Sequence, residues 1–138
     1  MIFTPETQSR AEWLANRQTY LGGTDIAAIL GLNPYKSAYD VYAEKVLGER
    51  SESSRKAQAG TALEPLVRQW YSEELGVTIA EAGTMRHPEY PFLAANIDGY
   101  IPDVCVWECK TFDFSTAAKW GEPNSDEVPP HYWAQAQW

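Results

Sequence analysis

The stretch from residue 92 to residue 110 constrains this chain most. Two apolar runs, 92–101 and 104–110, flank Pro102-Asp103, and the pair Asp98-Gly99 interrupts the first. Pro-Asp between two β-prone runs reads as a turn, so a hairpin here brings Asp98 beside Glu108. If 104–110 is a strand, alternation puts Val104, Val106, Glu108 and Lys110 on one face and Cys105, Trp107 and Cys109 on the other. Two charges then extend from the end of a strand whose start is apolar. Two carboxylates and a lysine at one point are what a magnesium-dependent phosphodiesterase needs: the acids hold a hard cation, and the amine organises a water or a phosphate. The same spacing fits a hairpin whose end is simply solvated, so it does not decide by itself.

With 138 residues the chain has room for one domain, 1–138, with a real core, and six Trp and eight Tyr to fill it. No apolar run is long enough to cross a membrane, and the first six residues lack the basic and apolar regions of a secretory signal. These features together read as a cytoplasmic protein. Cys105 and Cys109 fall on one strand face, a poor geometry for a disulfide, and two thiols are too few for a zinc or iron–sulfur site without other ligands. The expectation is two buried free thiols. A net charge of −8 has the wrong sign for non-specific DNA binding. It is compatible with clustered metal-binding acids beside a local basic groove.

Residues 6–17 read as a helix, with Thr4 as N-cap and Pro5 in the first turn. A short helix, 26–30, is capped by Thr24 or Asp25 and stops at Gly31. Ser37 caps a third helix, 38–47, whose inner face is Tyr39, Tyr42, Ala43 and Val46. A polar stretch, 49–56, leads to a long helix, 57–75, with an apolar stripe of Leu63, Leu66, Val67, Trp70, Tyr71 and Leu75. Pro65 implies a kink or a start there, and Glu64 beside the stripe needs a partner if buried. Segments 77–80 and 83–86 read as a strand pair or one bent strand, followed by strands 92–97 and 100–110, a loop 121–130 and a final helix 131–138. Helices, then a strand meander, then a helix is an α+β order. The last helix is apolar enough to pack on a sheet and lead onward, so the chain reads as C-terminally truncated.

Five local patterns, in order, resemble the YqaJ-type viral recombinase family, which is similar to phage lambda exonuclease. They are Arg17 followed by Gly22-Gly23-Thr24-Asp25 and Gly31-Leu32-Asn33-Pro34-Tyr35; Gly60-Thr61-Ala62-Leu63-Glu64-Pro65; Asn96-Ile97-Asp98-Gly99; Glu108-Cys109-Lys110; and Pro130-His131-Tyr132-Trp133-Ala134-Gln135-Ala136-Gln137. The resemblance implies a PD-(D/E)XK nuclease fold, a central mixed sheet flanked by helices. It implies cleavage of DNA phosphodiesters dependent on Mg²⁺ or Mn²⁺, typically as a 5′→3′ exonuclease on double-stranded DNA ends. It also implies a setting beside a single-strand annealing protein in phage or prophage recombination, and assembly in some members as a ring trimer.

Carried over residue by residue, the resemblance makes Asp98, Glu108, the backbone carbonyl of Cys109 and Glu64 the metal ligands. Lys110 becomes the motif lysine and Gln135 a residue positioning the attacking water. Arg17, Thr24, Asn96 and Tyr132 correspond to positions that hold a terminal 5′-phosphate, through bidentate, hydroxyl and helix-dipole contacts. The contrasting reading, from the acidic charge and the early stop, is a catalytically inactive nuclease-fold module that binds DNA ends or a protein partner.

Overall fold

The computed structural model describes residues 2–4, 9–49 and 52–138. In chain order the elements are β1 (Ile2–Thr4), α1 (Arg10–Arg17), α2 (Gly23–Ile29), α3 (Ala38–Tyr42) running into a π-helical turn (Ala43–Leu47), α4 (Arg55–Leu75), β2 (Thr84–Arg86), β3 (Ala94–Asn96), β4 (Gly99–Ile101), β5 (Cys105–Trp107), α5 (Phe114–Ala117) and α6 (Pro130–Gln137).

Side chains set the helix starts. Ser9 and Glu12 form a reciprocal capping box on α1, and Ser37 and Asp40 do the same on α3. Ser54 accepts the Ala57 N–H at the head of α4, and Pro130 occupies the first turn of α6. Gly48 and Gly76 end their helices in the left-handed conformation, with φ of 72° and 65°. The cap expected at Thr4 is corrected: Thr4 closes β1, and α1 begins at Arg10 behind Ser9. Of that expected helix, residues 6–8 lie outside the described residues, as do Pro5 and residues 50–51 of the polar stretch. On α2 the N-cap is Gly22, and Asp25 is the third helical residue, receiving the Gly22 N–H at 3.0 Å.

The strands form two antiparallel pieces. One has the order β1-β2-β3, with Thr4 opposite Thr84 and Thr84 opposite Asn96; the other is the β4–β5 hairpin, with Gly99 opposite Trp107. A parallel bridge between Leu21 and Leu93 and an antiparallel one between Ala80 and Tyr100 tie these to the segments around them, giving a mixed arrangement among helices. The expected continuous strand 100–110 is thus a hairpin turning through 102–104, where Asp103 has φ of 59°.

The core is built of small residues. Ala27 and Ala28 of α2, Ala134 of α6 and Ala94 of β3 are buried with Tyr20, Val41, Ile79 and Trp107. Small side chains let α2 and α6 approach closely, and this is the most intimate helix pair in the molecule. Three burial expectations are corrected. On the third helix Val41 and Ala43 are inward while Tyr39, Tyr42 and Val46 are exposed, because the face that packs runs through Val41 and Lys45, whose ammonium reaches buried Asp25. On α4 the apolar stripe is only partly covered: Trp70 is 58% exposed and Leu75 55%. Helix α4 touches the rest mainly through long side chains, with Tyr71 against Trp107 and Arg68 reaching the hairpin. Cys105, at the turn end of β5, is exposed and Cys109, beyond the strand, is half-buried; both are free.

Among the described residues no helix is long and apolar enough to cross a membrane.

Candidate active site

The hairpin places Asp98 and Glu108 on either side of the Gly99–Trp107 pair. Asp98 Oδ2 accepts the Cys109 backbone N–H at 2.7 Å, which locks the carboxylate to the opposite strand. Gly99 is required by space. A Cβ there would lie 2.6 Å from Ile79 Cγ2 and 3.0 Å from the Ala80 carbonyl oxygen. Lys110 Nζ donates to Glu108 Oε1, and Gln135 Nε2, from α6, donates to the same oxygen at 2.7 Å. Lys110 also sits over the Tyr132 ring, 5.4 Å from its centroid.

Glu64 arrives from α4 through Arg68, one helical turn on. Arg68 Nη2 donates to Glu64 Oε1 at 2.9 Å and to the Asp98 backbone carbonyl at 2.7 Å, while Nη1 donates to Glu81 at 2.9 Å. Sequence reasoning overlooked Arg68. The signal was present: an arginine four residues after a glutamate beside an apolar stripe is that acid's natural partner.

Burial, and then the neighbouring Asp98 carboxylate, push the Glu64 carboxyl above its ordinary range despite Arg68. Burial likewise raises Glu108, with Lys110 opposing and Asp98 adding to the rise. Burial and the same acids raise the Cys109 thiol. Three carboxylates crowd a partly dry site, and a cation is what such a site stabilises. Among the described residues no three His, Cys, Asp or Glu side chains form a ready-made ligand cage. Mg²⁺ does not require one, because it takes one or two carboxylates and completes its shell with water and substrate phosphate. The hard oxygens of Asp98, Glu64 and Glu108, with the Cys109 carbonyl, fit that chemistry.

These groups meet at a cleft of about 750 Å³ whose lining includes Thr24, Glu64, Asp98, Lys110, Tyr132 and Gln135. Glu108 is set behind it, attached through Lys110 and Gln135. The four residues assigned to a terminal phosphate separate. Thr24 and Tyr132 line the cleft, whereas Arg17 and Asn96 do not. The Arg17 guanidinium lies over Trp13, 5.2 Å from the ring centroid. The Asn96 amide is used internally: Oδ1 accepts from Thr84 Oγ1 and Nδ2 donates to the Tyr20 hydroxyl, both at 2.7 Å.

Beside the cleft, Asp25 is 1% exposed and holds Lys36 and Lys45, each at 2.9 Å. Burial alone would raise its pKa. The Gly22 N–H and the two ammonium groups outweigh burial and hold it below the ordinary carboxylate range.

Residues 12–138 match the YqaJ-like viral recombinase domain. The chain belongs to the YqaJ-like viral recombinase family. It is 33% identical over 134 residues to the uncharacterized protein YqaJ of Bacillus subtilis (strain 168), covering 94% of this chain and 41% of that protein. Its fold is similar to that of an alkaline exonuclease, LHK-Exo from Laribacter hongkongensis. One such crystal structure gives a TM-score of 0.66 at 26% identity, covering 91% of this chain and 64% of that one. The LHK-Exo structure in complex with dAMP gives 0.70 at 26% identity, covering 92% of this chain and 65% of that one. The helices and mixed strands are therefore those of a PD-(D/E)XK-type fold. This YqaJ-family chain spans less than two thirds of the length of these relatives.

Proposed function

We propose that this chain carries the catalytic centre of a metal-dependent DNA exonuclease that hydrolyses phosphodiesters from double-stranded ends, 5′→3′. The observation that carries the reading is the convergence of Glu64, Asp98, Lys110 and Gln135 on one cleft, with Glu108 tied to it, in a chain that folds like an alkaline exonuclease. The family and fold similarities support a nuclease.

Asp98, Glu64, Glu108 and the Cys109 carbonyl would hold Mg²⁺ or Mn²⁺. The bound cation would supply a Lewis acid for the scissile phosphate and for charge on the attacking and leaving oxygens. Lys110 brings a cation to the same cleft, where it counters negative charge growing on the phosphate. Gln135, on the small-residue contact with α2, fixes the orientation of Glu108 and can offer an amide to the attacking water. Arg68 holds Glu64 and the Asp98 backbone in register and so acts as a positioning residue. Thr24 and Tyr132 provide hydroxyls on the cleft wall for a terminal phosphate. A single-strand annealing protein as partner and a ring trimer as assembly complete the reading.

The test is digestion of linear duplex DNA carrying a 5′-phosphate at one end and a 5′-hydroxyl at the other, with Mg²⁺, with EDTA, and with Lys110→Ala. Metal-dependent loss from the phosphorylated end, abolished by the substitution, is expected. Duplex, nicked and single-stranded DNA all left uncut in Mg²⁺ and Mn²⁺ would leave a non-catalytic binding module in its place.

A further inference from the structure

We propose that one wall of the cleft, the stacked rings of Phe112, Trp120 and Tyr132, is a platform that takes the unpaired bases of a DNA strand next to the scissile phosphate. The inference rests on the nuclease reading and adds a binding subsite to it.

The three rings come from separate parts of the chain. Phe112 follows the hairpin, Trp120 follows α5, and Tyr132 lies on α6. All three line the cleft. Phe112 and Trp120 stack with centroids 5.1 Å apart and planes 18° from parallel; Trp120 and Tyr132 stack at 5.3 Å and 28°. The inner end of this row is the catalytic corner, since Lys110 sits over the Tyr132 ring. The outer end is open: Phe112 is 51% exposed. The outermost ring thus leaves apolar surface in contact with water, and a flat ligand laid on it would gain the favourable transfer that burial gives.

The chemistry of the lining says what would cover it. The chain carries a net charge of −8, yet lysines 36, 56, 110 and 119 line the cleft against four acids, Glu52, Glu64, Asp98 and Asp113. Lys56 is paired with Asp113, Lys36 with Asp25 and Glu44, and Lys110 with Glu108. Lys110 also lies over the inner ring, and Lys119 lines the same cleft. A stack of rings with an ammonium over its inner end suits a ligand that joins flat rings to phosphates, which is single-stranded nucleic acid. Duplex DNA hides its base faces in its own stack, so only unpaired nucleotides can continue the row. Burial, then Lys119 and Lys110, lower the His131 pKa, and its ring lies 4.1 Å from that of Tyr132.

The experiment uses the whole chain in EDTA, so that binding is read without cleavage. Fluorescence anisotropy compares a short single-stranded oligonucleotide with a fully abasic oligomer of equal length and equal phosphate number, for wild type and Phe112→Ala. The platform predicts that wild type binds the base-bearing strand about 5- to 50-fold more tightly than the abasic one. Phe112→Ala removes most of that ratio and leaves abasic binding in place, with an unchanged melting temperature as the folding control. Equal affinity of wild type for the two oligomers overturns the platform while leaving a DNA-acting chain. Binding of neither overturns the platform, and the duplex digestion with Mg²⁺ then decides the DNA-acting reading separately. A Phe112→Ala loss that is the same for both oligomers also overturns stacking.

Discussion

Gly23→Ala tests how tightly the site depends on the α2–α6 contact. A Cβ at Gly23 would lie 2.8 Å from Gln135 Cγ, 2.9 Å from the Gln135 carbonyl oxygen and 3.2 Å from Gln135 Cα. Ordinary carbon contacts sit near 3.5–4.0 Å, so α6 must back away by roughly 0.5–1 Å. The nearest atoms include backbone, and no side-chain rotation relieves them. Overpacking of this kind costs about 1–3 kcal/mol. The shift also stretches the bond from Gln135 to the Glu108 carboxylate, and hydrogen bonds to charged groups contribute about 1.5–3 kcal/mol. Helix propensity works the other way, favouring Ala over Gly by about 1 kcal/mol. The balance is a loss of about 1.5–5 kcal/mol. With an unfolding entropy of about 2.1 cal/mol/K per residue over 138 residues, that is a fall of about 5–17 °C in melting temperature. A misplacement on this scale is also enough to lower kcat by about a hundredfold if Gln135 and Glu108 act in catalysis. Gly60→Ala is the matched control. It too lies inside a helix, but its Cβ meets only the rotatable Thr111 hydroxyl, at 3.0 Å, so propensity should leave it within about 1 kcal/mol of wild type. Differential scanning calorimetry on the pair decides. If Gly23→Ala melts at or above wild type, as Gly60→Ala should, the close α2–α6 contact does not set the site.

Asp25→Asn should cost about 3–5 kcal/mol at pH 7 by urea denaturation, because it leaves Lys36 and Lys45 short of their buried counter-charge. The folded Asp25 carboxyl is held below its ordinary 3.8, so its contribution is complete above about pH 4 and is lost as pH falls through the lowered value. The gap between wild type and variant should therefore close on acidification; a gap that closes toward alkaline pH contradicts the assignment. Arg68→Ala should cost about 2–4 kcal/mol, since it strands Glu64 and the Asp98 carbonyl. Arg68→Lys should restore less than half of that, because an ammonium cannot span Glu64, Glu81 and the carbonyl together. A lysine variant as stable as wild type in urea would count against the bridging role.

What was legible in the sequence was what local physics decides. The turn at Pro102-Asp103 and the alternation around Trp107 are properties of a few adjacent residues, and they place Asp98 against Glu108 without reference to the rest of the chain. The serine cap at Ser37 is local in the same way and marks the start of the third helix, while α4 starts two residues before its expected position, behind Ser54. What was not legible depends on partners far along the chain. Asp25 read as a capping residue, and its carboxylate does take the Gly22 N–H. Its burial, however, comes from two lysines on later segments that no local pattern announces. The inward face of the third helix was misjudged because it is set by Lys45 reaching Asp25 on another segment, a contact that apolar spacing does not announce. Asn96 shows the limit of carrying a role over by position. Its place beside Asp98 fits the family pattern, yet alternation along β3 turns its amide to Thr84 and Tyr20, away from the cleft. Tyr132, carried over by the same pattern, does sit on the cleft wall, where Trp120 and Lys110, from other segments, meet it. Motif order located the elements of this site, but the long-range contacts decide which of their side chains reach it.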